Sequence, residues 1–146
     1  MYSIDRDFSV SGYIQSASLL KPQQDFERMS GVYFCTIHAD DPFLREELEN
    51  LCEQHTQSHQ KLTIEDQPAD KSLIRFETVV DPKLRPFEDG TYLGVSDHVT
   101  LDVRVEINES SNGEHVFARF YLRRVSPFFD PNDSIDWDSV PNVIDI

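Results

Sequence analysis

Long apolar runs are missing from these 146 residues. No stretch approaches the roughly 20 residues that a helix needs to cross a bilayer, so no spanning helix and no membrane partner are expected. The charged first ten residues lack the pattern of a signal peptide. Cysteine is scarce, with only Cys35 and Cys52. They form no CxxC pair and sit in no Cys/His cluster of zinc-ligand spacing, which argues against a zinc module. Both fall in apolar or helical surroundings and read as buried, idle thiols of a reduced, cytoplasmic compartment. Glycine-rich phosphate loops, a Ser/His/Asp order and HExxH are also absent. The chain therefore reads as a non-enzyme with no cofactor and no metal. Positive charge is in short supply too. Thirteen Lys and Arg face 27 Asp and Glu, leaving a formal charge of -14. That balance argues for solubility and against a simple cationic coat for nucleic acid.

What is present suffices for one domain. Apolar residues make up 38% and aromatics 11%, enough for a core at this length. Phe8–Leu20 reads as a first strand, with Phe8, Val10, Gly12 and Ile14 on one face and Gly12 marking a bulge or bend. Lys21–Ser30, with Pro22, reads as a loop. Gly31–His38 is nearly all apolar and so predicts a central strand. Asp40-Asp41-Pro42 then opens a helix, the Asp as cap and Pro in the first turn. Its docking face is Phe43, Leu44, Leu48, Leu51 and Cys52, and it ends around His55–Ser58. Glu46, Glu47, Glu49 and Glu53 make the opposite face negative.

Lys61–Lys71 reads as a polar connection. Leu73–Val80 predicts a third strand, with Ile74, Phe76 and Val80 on one face and Leu73, Arg75, Glu77 and Val79 on the other. Asp81–Gly94 reads as a long irregular loop. The clearest pattern is His98–Ile107, where Val99, Leu101, Val103, Val105 and Ile107 alternate with polar residues. Ser110-Ser111-Asn112-Gly113 closes a hairpin, Asn-Gly supplying positive-φ residues. His115–Val125 returns as the last strand, with Val116, Ala118, Phe120 and Leu122 inside. From Asp130 onward there are five Asp and no Lys or Arg, the composition of a disordered tail. About five strands and one helix fit a small barrel; a half-barrel or an α+β sandwich gives the same pattern.

One face stands out as a binding surface. Phe117, Arg119, Tyr121 and Arg123 alternate on the outer side of the last strand, in steps of about 6.6 Å. Aromatic rings stack on bases and guanidinium groups meet phosphates. Tyr13, Arg75 and Arg104 extend this face, and Lys83 and Arg85 in the long loop are placed to clamp from above. The bland alternative is aromatic packing under a loop or in a dimer interface, with a solvated arginine rim. Residues 116–125 hold three Arg and no acid, so a basic stripe can exist within an acidic protein. A second constellation lies in the tail. Asp133, Asp136 and Asp138 flank Trp137, and Asp145 and Ile146 sit at the end. An acidic segment with apolar groups suits docking on a partner protein; an inert solubilising tail is the alternative. His38, Asp40 and Asp41 are explained by a helix cap rather than a metal.

Three stretches carry a resemblance: GVYFCTIHADDPFLREELENLCEQH, KSLIRFETVVDPK, and YLGVSDHVTLDVRVEINESSNGEHVFARFYLRRVSPFF. In order and spacing they resemble the single-stranded DNA-binding proteins of short-tailed bacteriophages. The resemblance covers most of the chain. It implies a mainly β, five-stranded oligonucleotide-binding (OB) barrel over residues 1–129, with one helix after strand 2. It implies an acidic flexible tail over 130–146 that contacts replication or recombination proteins and supports dimerisation. It also implies sequence-independent binding of single-stranded DNA in phage replication or recombination, in the host cytoplasm. The tail departs from the family pattern: its acid is sparser and it ends in Ile146. The competing expectation is an acidic, nucleic-acid-mimicking inhibitor or adaptor that binds a basic partner protein. A weaker one is a virion or scaffold component that self-associates through the aromatic face.

Overall fold

The structure, a computed structural model, describes residues 6–25, 30–85 and 90–128. The strict alternation read in the sequence forms the longest antiparallel pair, β6 (His98–Glu109) with β7 (His115–Pro127). The inward Val99, Leu101, Val103, Val105 and Ile107 of β6 are at most 1% exposed. They meet Val116, Ala118, Phe120 and Leu122 of β7, which are at most 2% exposed. Period-two alternation with one face this dry holds the register, because a one-residue slip would turn every apolar residue outward.

The other barrel strands close around this pair. β1 (Arg6–Asp25) pairs with β6 on one side and with β2 (Ser30–Ala39) on the other. β2 pairs with β4 (Leu73–Thr78), and β4 meets β7 in parallel at Glu77 and Tyr121. The circuit β1-β2-β4-β7-β6-β1 is a closed five-stranded barrel. The one helix among the described residues, α1 (Leu44–Gln54), follows the second strand. This is the OB barrel that the resemblance implies. Gly12 sits where β1 passes from β6 to β2. A Cβ there would stand 2.3 Å from the His38 carbonyl oxygen, so only glycine permits the approach.

Several expectations are corrected. The stretch Lys21–Ser30 is not simply a loop: β1 runs to Asp25, and Gln24 and Asp25 pair with Gly31 and Ser30. The polar connection holds β3 (Lys61–Ile64), parallel to β7. The long loop holds β5 (Lys83–Leu84), also parallel to β7; its residues 86–89 lie outside the described residues. Thr78, not Val80, completes the inner face of β4; Val80 is exposed. Only Gly113 of the Asn-Gly pair has positive φ. The Asn112 side-chain Oδ1 instead accepts hydrogen bonds from Ser110 Oγ (2.7 Å) and Glu114 N (3.0 Å), which shapes the turn.

The N-cap of α1 is Phe43, not an aspartate; the Asp41 carboxylate accepts from Phe43 N at 2.9 Å, forming a turn just before the helix. Phe43 is exposed, so it does not dock, whereas Leu48 and Cys52 are buried. Arg45 is buried as well. Its Nη1 donates to the carbonyls of Asp70 (2.9 Å) and Leu73 (2.8 Å), which ties α1 to the entry of β4. Both cysteines are buried as expected, and burial pushes the Cys35 thiol up to about 12 and Cys52 to about 11. No described helix is long and apolar enough to cross a membrane.

Candidate nucleic-acid interface

β7 carries the outward row Phe117, Arg119 and Tyr121, as alternation demands. β6 lays Asn108, Glu106 and Arg104 beside them in register. A bulge in β7, opposite Asp102 and Val103 of β6, leaves Arg123 without a register partner. Arg123 and Arg124 thus both belong to the outer wall, while Leu122 and Val125 stay inside.

This bulge and β5 together build a groove of about 380 Å³. Lys83, Arg104, Tyr121, Arg123 and Arg124 line it, with Val79 and Val80 as apolar shoulders and Asp81 and Glu106 as its acids. Four of the residues expected from the sequence, Lys83, Arg104, Tyr121 and Arg123, therefore converge. Arg124 was missed; its doublet with Arg123 in an otherwise alternating strand was the available signal. Lys83 enters through β5, whose parallel pairing sets it beside Arg124.

The cations are not bare. Arg104 Nε and Arg123 Nη1 share the carboxylate of Asp7, at 3.0 and 2.8 Å. The hydrogen bond from Arg104, with that from Arg123, holds the Asp7 carboxyl below the usual range. Arg124 lies 3.6 Å from Asp102, whose carboxyl is pushed up by burial. The groove lining gathers four cations beside two carboxylates, and Asp7 and Asp102 offset three of those cations, so an anionic ligand gains most where it displaces these acids.

The remaining expected residues are distributed differently. Arg119 pairs with Glu65 from the end of β3 and lies 3.6 Å from Glu77. Burial lowers its pKa, but the charge of Glu65 and the contact with Tyr121 outweigh that and raise it. Arg75 also pairs with Glu77, at 3.4 Å, and its guanidinium stacks 4.2 Å above the ring of Phe34. The Nε atoms of both Arg75 and Arg119 are buried without a hydrogen-bond partner. Phe117 is 38% exposed at the hairpin end of the row. Phe117, Arg119 and Arg75 thus continue the groove's wall along β7 and β4.

Tyr13 and Arg85 are not brought to the groove. Tyr13 stacks on His98 at 4.3 Å, and His98 on Phe128 at 4.0 Å. His98 lies six residues before Arg104 on β6, roughly 20 Å away along the strand. The backbone N–H of Arg85 donates to the Val125 carbonyl, at 2.9 Å, and its side chain lies with Leu19, Leu20 and Tyr92. Asp40 bonds His98 at 2.6 Å, and no cluster of metal-ligating side chains occurs among the described residues. The tail residues Asp133, Asp136, Trp137, Asp138, Asp145 and Ile146 lie outside the described residues.

A closed five-stranded barrel with a helix after its second strand belongs to the oligonucleotide-binding (OB) class of folds. No family model matches the chain, and no curated protein matches it in sequence. Among solved structures it is similar to gp2.5, a single-stranded DNA-binding protein encoded by bacteriophage T7. That alignment has 11% identity, covers 90% of this chain and 97% of that one, and has a TM-score of 0.56. It also aligns with a single-stranded DNA-binding protein from bacteriophage Enc34 in complex with ssDNA. There the identity is 17%, coverage 88% of this chain and 86% of that one, and the TM-score 0.46. At these identities the likeness to the T7 protein is one of fold.

Proposed function

We propose that this chain is a non-catalytic, sequence-independent single-stranded DNA-binding protein. The observation that carries the reading is the groove on β7, where Tyr121 stands among Lys83, Arg104, Arg123 and Arg124. A tyrosine ring stacks on any base, because every base has a π-face, and the cations follow the backbone phosphates. No base edge needs to be read, which accounts for the lack of sequence preference. Phe117, Arg119 and Arg75 extend the path toward the β6–β7 hairpin, and Tyr13 and Arg85 are not part of it. A shared fold with a phage single-stranded DNA-binding protein supports the same reading and fits a role in phage replication or recombination. In this proposal residues 1–129 form the binding domain. The acidic segment 130–146 recruits replication or recombination proteins through Asp133, Asp136, Trp137, Asp138, Asp145 and Ile146.

Anisotropy of a labelled oligo-dT, titrated with Tyr121→Ala and Phe117→Ala, tests the face. Loss of one stacked base costs about 1–3 kcal/mol, so each variant is expected to bind roughly 5- to 150-fold more weakly. Unchanged affinity in both would refute the assignment of this face.

A further inference from the structure

A second groove lies between α1 and the first part of β1, and it shares no lining residue with the arginine groove. It is larger, at about 720 Å³. Phe8 and Val10 of β1, Leu44, Leu48 and Leu51 of α1, and Phe128 supply apolar surface. Every charged residue that lines it is acidic: Asp40, Asp41 and Glu47. The exposed Glu46 and Glu53 add to the negative potential of the same helix.

We propose that this groove docks a short cationic amphipathic helix of a partner protein. The apolar surface takes the apolar stripe of the helix, and the acidic rim takes its Lys or Arg residues, the usual chemistry of helix-in-groove recognition. α1 is 11 residues long, roughly 16 Å, which matches about three turns of a helix laid alongside it. Charge selects this occupant over the chain's own C-terminal segment. That segment follows Phe128 directly, but it carries five Asp and no Lys or Arg, so it meets the rim with like charge. The inference does not rest on DNA binding. If both hold, one molecule holds DNA on β7 and a protein on α1 at once.

The test uses the full chain, labelled with 15N, and a synthetic amphipathic peptide of about 14 residues with alternating Leu and Lys patches. A matched peptide with Glu in place of Lys serves as control. The expected result is amide shifts confined to Phe8–Ser11, Asp40–Asp41, Leu44–Gln54 and Phe128, with no binding of the Glu peptide. Asp41→Lys with Glu47→Lys is expected to weaken binding about tenfold. Glu46→Lys with Glu53→Lys makes the same charge change on the same helix outside the groove lining and is expected to leave binding within about twofold. Equal losses in the two double variants would overturn the proposal in favour of bulk charge. Trp137 is the only tryptophan. Release of its emission by the peptide would overturn the proposal by showing that the chain's own tail occupies the groove.

Discussion

Asp7 stands at the balance point of the candidate interface. It holds Arg104 and Arg123 together with one carboxylate, and bound DNA must compete with it for both. Asp7→Asn keeps the shape and removes the charge, so oligo-dT affinity should rise several-fold with a steeper salt dependence; an affinity equal to or below wild type would contradict the competition. Asp102 predicts a pH effect of opposite origin. Burial raises its folded pKa above the unfolded value of about 3.9, so the folded state prefers the protonated form. Its contribution to stability is therefore full at low pH and is lost as pH rises through the raised folded value. Asp102→Asn should melt above wild type at pH 7, with the gap closing below about pH 4; thermal scans across that range decide it. The arginine row itself was legible in the sequence, because alternation on one strand needs no tertiary information. Its acid partners were not. Glu65 lies 54 positions from Arg119 in sequence, and Asp7 lies 116 from Arg123, and only barrel closure makes them neighbours.

At the scale of elements, legibility followed length and periodicity. β6 and β7 were readable because a long amphipathic strand must alternate. β3 and β5 were not, being four and two residues long. Their pairing depends on β7 rather than on their own composition. The extension of β1 past Pro22 was also hidden, since proline ordinarily ends a strand unless it sits at an edge or irregularity. The register of β1 and β2 does shift between Ser18 and Gln23, across Pro22. The inner faces carry the stability. Phe76 of β4 and Phe120 of β7 meet with ring centroids 6.0 Å apart, and both are at most 1% exposed. Phe120→Ala should cost about 3–5 kcal/mol in urea unfolding; a loss under about 1 kcal/mol would show that the barrel interior is not packed as described.

The whole molecule separates its charges. The formal charge of -14 includes an acidic helix and an acidic C-terminal segment, while the outer wall of β7 concentrates arginine. Net charge alone argued against nucleic-acid binding, and the groove answers it only by gathering cations that a phosphate backbone can take over from Asp7 and Asp102. Four cations line this groove. If each meets a phosphate, the slope of log affinity against log salt for a single strand is about -3.

That slope is the most direct test of the central claim. Anisotropy of a labelled oligo-dT of about 30 nucleotides, titrated with the full chain from low to moderate salt, gives it in one series. Saturable binding with a slope of about -3, and equal affinity for a mixed-sequence strand, is the predicted result. No binding at tens of micromolar, or a slope near zero, would contradict it.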